Sequence, residues 1–189
     1  GVPIAFETPD WNLITAGSWQ GRWDFSVGSM TITTPREKVL AFSKPYYYTP
    51  AQMAVVTDSG ITDLAGLAGK TVCTGEATTY YQWLTGTLVL GDGSELAPVP
   101  EGVKTTTLAT DQDCAQSVQS GRRDFEDWLS SSTTVKAALD AGAPMTTVGT
   151  PVFYEPLAIA IDKASPPHTE LLAEIDRIAG NPDPATFAN

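Results

Sequence analysis

The sequence predicts an α/β protein built from two lobes, and three observations lead to that prediction. Short strand-like apolar runs alternate with helix-like runs along most of the chain. Two extended segments, 41–50 and 150–156, are rich in aromatic residues and bracketed by prolines. The 189 residues, 42% of them hydrophobic, suffice for one ordinary domain or for two small lobes with separate cores. Such alternation favours largely parallel sheets with helices on both faces.

Strands are predicted where apolar residues alternate with polar ones, or where short β-branched runs lie between turn residues. The segment 24–30 is expected to be a short buried strand, and 103–108 is a threonine-rich one. In chain order, the predicted strands are 2–6, 24–30, 52–57, 70–74, 103–108, 128–130, 144–148 and 157–161.

Helices are predicted where apolar residues recur at helical spacing between capping residues. Thr110 is expected to cap the helix that carries Cys114, and Gly121 to end it. The last helix opens at Pro166-Pro167, stops at Gly180 and has an apolar face of Leu171, Leu172, Ile175 and Ile178, before a loose tail, 181–189. The remaining helices are a short or broken one in 11–19, 36–40, a short piece begun by Thr62, one containing 80–84, and 133–141.

The start of the second helix carries an unusually complete signal. Thr34 is placed to cap the free amides, Pro35 suits the first helical position because it has no N–H to lose, and Glu37 stands where a capping box needs a carboxylate.

Arg36 is the unexpected residue of that first turn. A cation there opposes the positive end of the helix dipole, at a cost of about 0.3–1 kcal/mol. An anionic ligand would remove this cost, and the hydroxyls of Ser29 and Thr31 would complete a carboxylate site. The alternative is that Arg36 pairs with a surface acid such as Glu37. A second strand-to-helix turn, 75–79, could meet an anion in the same way.

The two proline-bracketed segments set the predicted domain boundaries. Residues 1–46 form the first part of an outer lobe, 47–154 an inner lobe, and 155–189 the second part of the outer lobe. Two extended crossings between compact lobes are what a hinge needs.

Charge and composition restrict the partners. With 22 acidic and 11 basic residues the formal charge is -11, which repels nucleic acid and anionic membranes, so we expect neither as a partner. No run reaches the length of a membrane span, and the first residues lack the features of a signal peptide. We therefore expect any targeting segment to have been removed or to lie outside this chain.

The cysteine and histidine counts argue against most metal sites. There are two cysteines, Cys73 and Cys114, and one histidine, His168, which is expected in a surface loop. The carboxylates show no calcium-loop spacing, so we predict no metal and no cofactor. Cys73 ends a predicted strand and Cys114 lies in the first turn of a predicted helix, so a disulfide is reasonable; the alternative is two buried thiols. A disulfide would imply an oxidising, exported environment.

The sequence resembles a known family. The run 28–36, continued by 42–47, is similar to the signature of extracellular solute-binding proteins of family 3, the polar amino-acid components of ABC importers. Weaker similarities follow in the family's order at 64–72, 77–79, 121–122 and after Glu155. The resemblance implies a two-lobed, type II periplasmic-binding-protein fold that closes on a ligand, with the outer lobe shortened at both ends. It also implies a monomer, an ABC permease as partner, and a periplasmic or extracellular location, with a lipid anchor on a segment outside this chain as one option. The cysteine pair is similar to the inner-lobe disulfide of many members.

The resemblance also implies a set of ligand-binding residues. Arg36 and Thr31 would hold the α-carboxylate of the ligand, Gly28 and Ser29 would face its α-ammonium, and Trp11 would form the wall for its side chain. The full set is Trp11, Gly28, Ser29, Met30, Thr31, Arg36, Ala77, Thr78, Thr79, Ser131 and Glu155, in which Thr78 and Thr79 close on the carboxylate.

The sequence departs from the family at the amine end of that site. Ser131 stands where the family usually places an aspartate that pairs with the α-ammonium. Glu155 or Glu126 could supply the missing charge; otherwise the ligand lacks an ammonium. Trp11 favours an apolar or a cationic side chain, because a ring face attracts either, and the excess of acids near the second lobe favours a cation such as arginine or lysine.

Two other functions remain open at the sequence level. A few relatives look like dehydratases of cyclic carboxylates, in which case Glu126 or Glu155 in a dry cleft would act as the proton donor. A ligand-binding sensor domain of a receptor would use the same site. The residues contain no nucleophile paired with a base, which favours a binding protein over an enzyme.

Overall fold

The structure is a computed structural model and describes residues 3–122, 124–165 and 168–179. Its helices are α1 Trp11–Thr15, α2 Thr34–Glu37, α3 Thr79–Leu84, α4 Asp111–Gln119, α5 Ser132–Asp140 and α6 His168–Ala179, with one 3-10 helix, Leu64–Leu67. Its strands are β1 Ser26–Thr31, β2 Leu40–Phe42, β3 Tyr47–Val56, β4 Thr71–Gly75, β5 Lys104–Leu108, β6 Asp127–Ser131 and β7 Met145–Asp162.

The chain divides into two compact units. Unit 1 contains the described residues up to Tyr47 and those from Pro156 onward, and unit 2 is the continuous stretch Tyr48–Glu155. Both borders fall inside strands, β3 and β7, within one residue of the expected positions 46/47 and 154/155. A hinge role for these two strands stays a prediction.

The sheet of unit 2 contains three parallel strands and one antiparallel strand. β4 lies between β5 and β6 and is parallel to both, while β3 pairs antiparallel with β6. Successive side chains of a strand point to opposite faces of the sheet, so β3 contributes to two separate cores. Met53 and Val55 belong to the first core, and Ala54 and Val56 belong to the second. The first core packs against α3, and the second against α4 and α5. The predicted α/β class, with helices on both faces of the sheet, is confirmed.

A disulfide links the sheet of unit 2 to α4. Cys73 on β4 and Cys114 on α4 are both fully buried, and their Cα atoms are 5.8 Å apart. The predicted bridge is therefore confirmed, and the alternative of two buried thiols is wrong. It closes 41 residues, for which the loss of freedom in the unfolded chain is worth about 2–4 kcal/mol of stability.

Unit 1 has a different strand pattern and a smaller core. β1 and β2 both pair antiparallel with the part of β7 that follows Pro156, one on each side of Ala160. The chain direction of β7 is opposite to that of β1 and β2, so all of these pairs are antiparallel. A parallel pair would need a crossover connection. The buried apolar residues of this core are Trp19, Met30, Leu40 and Ala160.

Helix α2 differs from its prediction in start, length and end. Thr33, not Thr34, is its N-cap: Thr33 is extended, and its Oγ1 accepts a bond from the Arg36 amide at 3.4 Å. The predicted capping box is therefore wrong, because Glu37 lies one residue beyond the position that the motif needs. The helix ends at Glu37 rather than at 40 because fully buried Leu40 begins β2.

Several other elements differ in extent from the sequence-based predictions. The residues 3–6 form no strand, and Ile4 and Phe6 are exposed there. β1 is exposed until Met30 rather than buried throughout. Asp63, not Thr62, caps the 3-10 helix, by accepting a bond from the Gly66 amide.

The C-terminal elements differ as well. The predicted strands 144–148 and 157–161 are parts of one strand, β7, which passes through Pro151 and Pro156. His168 is the first residue of α6 and half-buried rather than in a loop. The expected apolar face of α6 is only half-buried at Leu171, Leu172 and Ile175 and exposed at Ile178; the predicted start at Pro166-Pro167, the stop at Gly180 and the tail lie outside the described residues. Of the helices in the described ranges, none is long and apolar enough to cross a membrane.

Candidate functional site

Arg36 is a buried charged group of unit 1. Its side chain is 4% exposed, and its Nη1 donates to the carbonyl of Thr31 at 2.9 Å. Its guanidinium carbon lies 5.5 Å from the ring centroid of Trp11, within the range of a cation–π contact. The surface acid Glu37 is exposed and forms no ion pair with it in the part of the chain that the structure describes. Arg36 is thus held in one orientation by a carbonyl on β1 and an aromatic face on α1.

The strand that leads to this arginine contains a strained turn. Ser29 has φ of 53°, a left-handed conformation that costs a non-glycine residue about 1–2 kcal/mol. Gly28 and Ser29 are both exposed, whereas Met30 is fully buried in the core of unit 1. Met30 therefore exposes neither its side chain nor its backbone, and a ligand role for it stays a prediction. Strain of this kind clusters at ligand-binding turns.

Unit 2 contains a matching turn between β4 and α3. Ala77 has φ of 54° and Thr78 is the N-cap of α3. The Thr78 hydroxyl donates to the carbonyl of Gly75 at 2.8 Å and accepts from the amide of Tyr81 at 3.2 Å. Capping occupies this hydroxyl, so a ligand role for Thr78 would rest on its backbone amide.

Glu155 is the centre of a buried polar cluster in unit 2. It is 3% exposed; its Oε1 accepts a hydrogen bond from the hydroxyl of Thr79 at 2.5 Å, and its Oε2 accepts one from Tyr80 Oη at 2.7 Å. Burial is the main cause that raises the pKa of Tyr80 well above its usual value, and the charge of Glu155 adds to it. Tyr80 is therefore a neutral donor at physiological pH. The Thr79 hydroxyl, predicted to face the ligand carboxylate, is directed to Glu155 instead.

Ser131 is a helix cap rather than a charged partner. Its Oγ accepts a bond from the Thr134 amide at 3.2 Å and lies 2.8 Å from the Thr134 hydroxyl. Glu126, one of the two acids expected to replace an aspartate at this position, precedes the first residue of β6, whereas Ser131 is the last. Five residues of extended strand span roughly 17 Å. Glu126 and Ser131 therefore lie at opposite ends of β6.

Asp111, Tyr80 and Ser130 complete this cluster and were not among the predicted site residues. Ser130 Oγ donates a short hydrogen bond to Asp111 Oδ2, and the negative charge of Asp111 also acts on Tyr80. The carboxyl ends of neighbouring parallel strands meet at one edge of a sheet, where α/β proteins bind their ligands. Since Asp111 follows β5 and Ser130 is the penultimate residue of β6, this rule could have found both residues.

Asp127 is a buried carboxyl group at the other end of β6. It is 1% exposed, and neither of its oxygens has a hydrogen-bond partner among the described residues. Burial raises its pKa from 3.8 to about 6; the positive charge of Lys70 opposes this shift and the negative charge of Glu126 adds to it.

Unit 1 also has a surface pocket of about 580 Å³. Its lining includes Trp23, Asp162 and His168 and none of the predicted ligand-binding residues. Asp162 Oδ2 accepts a bond from the Trp19 amide at 2.6 Å, so this carboxylate joins β7 to the loop before β1. Within the described stretches, no group of three or more His, Cys, Asp or Glu side chains is arranged to hold a metal ion.

Comparison with known proteins identifies the relatives of this chain. The sequence model of the bacterial extracellular solute-binding proteins, family 3, matches residues 1–180. An ancestral arginine-binding protein bound to arginine superposes with a TM-score of 0.76 and 26% identity, over 95% of this chain and 74% of that one.

Two further solved structures share the fold at lower identity. The truncated ArgBP from T. maritima in its arginine-bound form gives a TM-score of 0.72 with 22% identity, over 90% of this chain and 74% of that one. An ancestral amino-acid-binding protein described as a precursor of cyclohexadienyl dehydratase gives a TM-score of 0.75 with 24% identity, over 95% of this chain and 72% of that one.

One curated protein also matches part of the sequence. The membrane-bound lytic murein transglycosylase F of Desulfosudis oleivorans is 40% identical over 85 residues. This stretch is 44% of the present chain and 19% of that protein's length.

Proposed function

Because this chain belongs to family 3 of the bacterial extracellular solute-binding proteins, we propose that it binds a polar or cationic amino acid outside the cytoplasmic membrane and delivers it to an ABC importer. The ligand would shift the protein toward a state that the permease recognises. The protein would act as a monomer and without chemistry of its own.

The oriented guanidinium of Arg36 is the observation that carries this proposal. Arginine presents a planar fork of donors that matches a carboxylate, and it keeps its charge at all physiological pH values. The Thr31 carbonyl and the Trp11 ring fix that fork before any ligand arrives. Pre-orientation lowers the entropy cost of binding. We therefore assign the ligand α-carboxylate to Arg36 and the adjacent Ser29 turn.

The aromatic and acidic groups support the choice of ligand class. Trp11 offers a ring face, which attracts both apolar and cationic side chains. Within unit 2, Glu155 and Asp111 are carboxylates near the carboxyl edge of the sheet. The ancestral relative bound to arginine, at 26% identity, supports a cationic amino acid.

Calorimetric titration of the protein with L-arginine, L-lysine, L-histidine and L-glutamine tests the proposal. We expect Arg36→Lys to weaken binding about 10- to 100-fold, since a charge-assisted bidentate bond is worth about 1.5–3 kcal/mol. Arg22→Lys is the matched control, because Arg22 also stacks on a tryptophan of unit 1, Trp23, at 4.7 Å. The proposal fails if none of the four amino acids gives heat, or if Arg36→Lys and Arg36→Ala bind as the wild type does.

A second candidate function follows from the curated relative. The 40% identity to part of a membrane-bound transglycosylase favours a role as the ligand-binding module of a larger, membrane-anchored protein. Immunoblotting of the native gene product distinguishes the two roles. A membrane-bound product much larger than 20.1 kDa with murein-cleaving activity would support the second candidate, whereas a product near that mass would support the first.

A further inference from the structure

Asp127 is a buried carboxyl group with apolar neighbours on both adjacent strands of unit 2. Its Cα partners are Val55 on β3 and Val72 on β4, and both valines belong to the first core. Side chains of paired residues lie on the same face of a sheet, so Asp127 faces that core as well. Neither of its oxygens has a hydrogen-bond partner among the described residues. An unpaired buried charge is costly, so the ionised form of this group needs a partner.

Lys70 is placed to become that partner. Its carbonyl accepts a bond from the Lys104 amide at 2.8 Å, so the ladder between β4 and β5 already begins at Lys70. Lys70 precedes Val72 by two positions, and strand alternation therefore puts it on the face of Val72 and Asp127. The Cα atoms of such diagonal neighbours are about 7–8 Å apart, a separation that a long side chain can span.

The two side chains are separate in the present structure. Lys70 is exposed, and it forms no ion pair with an acid in the ranges that the structure describes. Burial of Asp127 is the main cause that raises its pKa to about 6, so the unpaired arrangement suits a protonated carboxyl group.

The charges around Asp127 make Lys70 the relevant cation. On β3 the facing residue, Val55, is apolar, and on β6 the preceding residue is the acid Glu126. The positive charge of Lys70 lowers the pKa of Asp127, and the negative charge of Glu126 raises it. The other charged residues in the segments that flank this end of the sheet are Asp58, Asp63, Glu101, Lys104, Arg122 and Asp124.

We propose that Asp127 and Lys70 form a pH-operated latch at the amino edge of the unit 2 sheet, where β4 and β6 begin. While Asp127 is protonated, Lys70 stays in solvent. When Asp127 loses its proton, Lys70 folds over the strand end and its ammonium pairs with the carboxylate. The residues before β4, including the 3-10 helix, are then tied to β6 at neutral pH and released in acid. No ligand takes part, so the inference is independent of the proposed function.

The ion pair offsets only part of the cost of burying the carboxylate. The pKa of Asp127 stays above its ordinary value although the charge of Lys70 opposes the shift. The folded state therefore still binds the proton more tightly than the unfolded chain does. Removal of Lys70 should widen this difference, and this is what distinguishes a latch from a lysine that merely lies on the surface.

NMR titration of the Asp127 carboxyl carbon, together with unfolding free energies at pH 4 and pH 8, tests the latch. Lys70→Gln removes the charge and keeps a long polar side chain, whereas Lys70→Arg keeps the charge. Lys104→Gln is the matched control, because Lys104 begins β5, which β4 separates from β6. The stability measurements are repeated for Lys70→Gln in an Asp127→Asn background, which subtracts any effect of Lys70 on Glu126.

We expect Lys70→Gln to raise the pKa of Asp127 by about 1 and to lower the folding equilibrium constant about tenfold at pH 8. At pH 4 it should change nothing, because Asp127 is then protonated in the folded state. Lys70→Arg and Lys104→Gln should behave as the wild type does, and Lys70→Gln should have no effect in the Asp127→Asn background.

An unchanged pKa of Asp127 in Lys70→Gln would overturn the inference. So would an equal rise in Lys104→Gln, because the net charge of the unit would then be the cause, or an equal loss of stability in both backgrounds. The carboxyl titration uses only surface lysine variants, so it decides the question even if Asp127→Asn does not fold.

Discussion

Each unit contains a buried charged side chain, Arg36 in unit 1 and Glu155 in unit 2, and the contacts of the two differ in kind. In unit 1 the buried Arg36 guanidinium donates to the Thr31 carbonyl and lies near the Trp11 ring, and the core of this unit includes Trp19, Met30, Leu40 and Ala160. Unit 2 surrounds Glu155 with hydroxyl donors, and it has two cores and a disulfide. Buried charges need partners, because their desolvation is costly.

Unit 1 leaves several large apolar side chains exposed. Unit 1 exposes Ile4, Phe6, Phe25 and Val27, with Phe6 at 90%. Small cores bury a smaller share of their surface and are marginally stable. We therefore expect perturbations of unit 1 to be less well tolerated than equal perturbations of unit 2.

The largest effect is expected from methionine-to-alanine substitutions, one in each core. Met30 in unit 1 and Met53 in unit 2 are both fully buried, and each substitution should cost about 2–5 kcal/mol. Met30→Ala should abolish hydrogen-exchange protection of β1 and β2, whereas Met53→Ala should leave unit 2 protected at a lower level. Mass-spectrometric hydrogen exchange measures both. Wild-type protection of β1 and β2 in Met30→Ala would contradict the contrast between the units.

Removal of the disulfide should affect unit 2 alone. The Cys73→Ser, Cys114→Ser double variant should lose about 2–4 kcal/mol of unfolding free energy, because the unfolded chain regains freedom over the closed loop. Denaturant titration with hydrogen exchange of both units measures the loss. The reduced wild type is the matched control and should behave like the double variant. An unchanged unfolding midpoint after reduction would show that the bridge contributes no stability.

Asp127 should make the stability of unit 2 depend on pH. Because its folded pKa, about 6, lies above its ordinary value of 3.8, the folded state binds the proton more tightly. The contribution of Asp127 to the unfolding free energy is thus largest below about pH 4. It falls as the pH rises toward 6 and stays reduced at higher pH. The full difference amounts to at most about 3 kcal/mol.

Asp127→Asn removes this titration. The variant should match the wild type near pH 4 and exceed it at pH 8, as measured by unfolding free energies across that range. The surface substitution Asp140→Asn should show no such divergence. An equal difference between Asp127→Asn and wild type at both pH values would exclude the buried carboxyl as the cause.

The smallest effect concerns the two strained turns, which are alike in the two units. Ser29→Gly and Ala77→Gly should each raise the unfolding free energy by at most about 1 kcal/mol, since glycine adopts positive φ without the steric cost. Affinity for amino acids should fall in both variants, because a looser turn is less pre-organised. Thermal unfolding and calorimetry measure the two quantities. A gain of stability with unchanged affinity would show that the strain does not serve binding.

Sequence patterns predicted the order of strands and helices in unit 2 well. Thr110 caps α4 with a complete capping box, and α5 agrees with its prediction within one residue at each end. These features depend on residues within a few positions of one another, so the sequence contains the whole signal. The cap of α2 was predicted one residue late because three threonine or proline positions, 33–35, compete for the start, and the local pattern does not rank them.

The sequence by itself thus determined the α/β class, and it singled out Arg36 as a candidate ligand-binding residue. Only the tertiary structure decided what surrounds each charge. Trp11 lies over Arg36, Glu155 accepts bonds from Thr79 and Tyr80, and Asp111 meets Ser130 across separations of 19 to 76 residues. Such contacts depend on which strands are neighbours and in what register. Strand order follows from the free energy of the whole packed sheet and not from any local pattern.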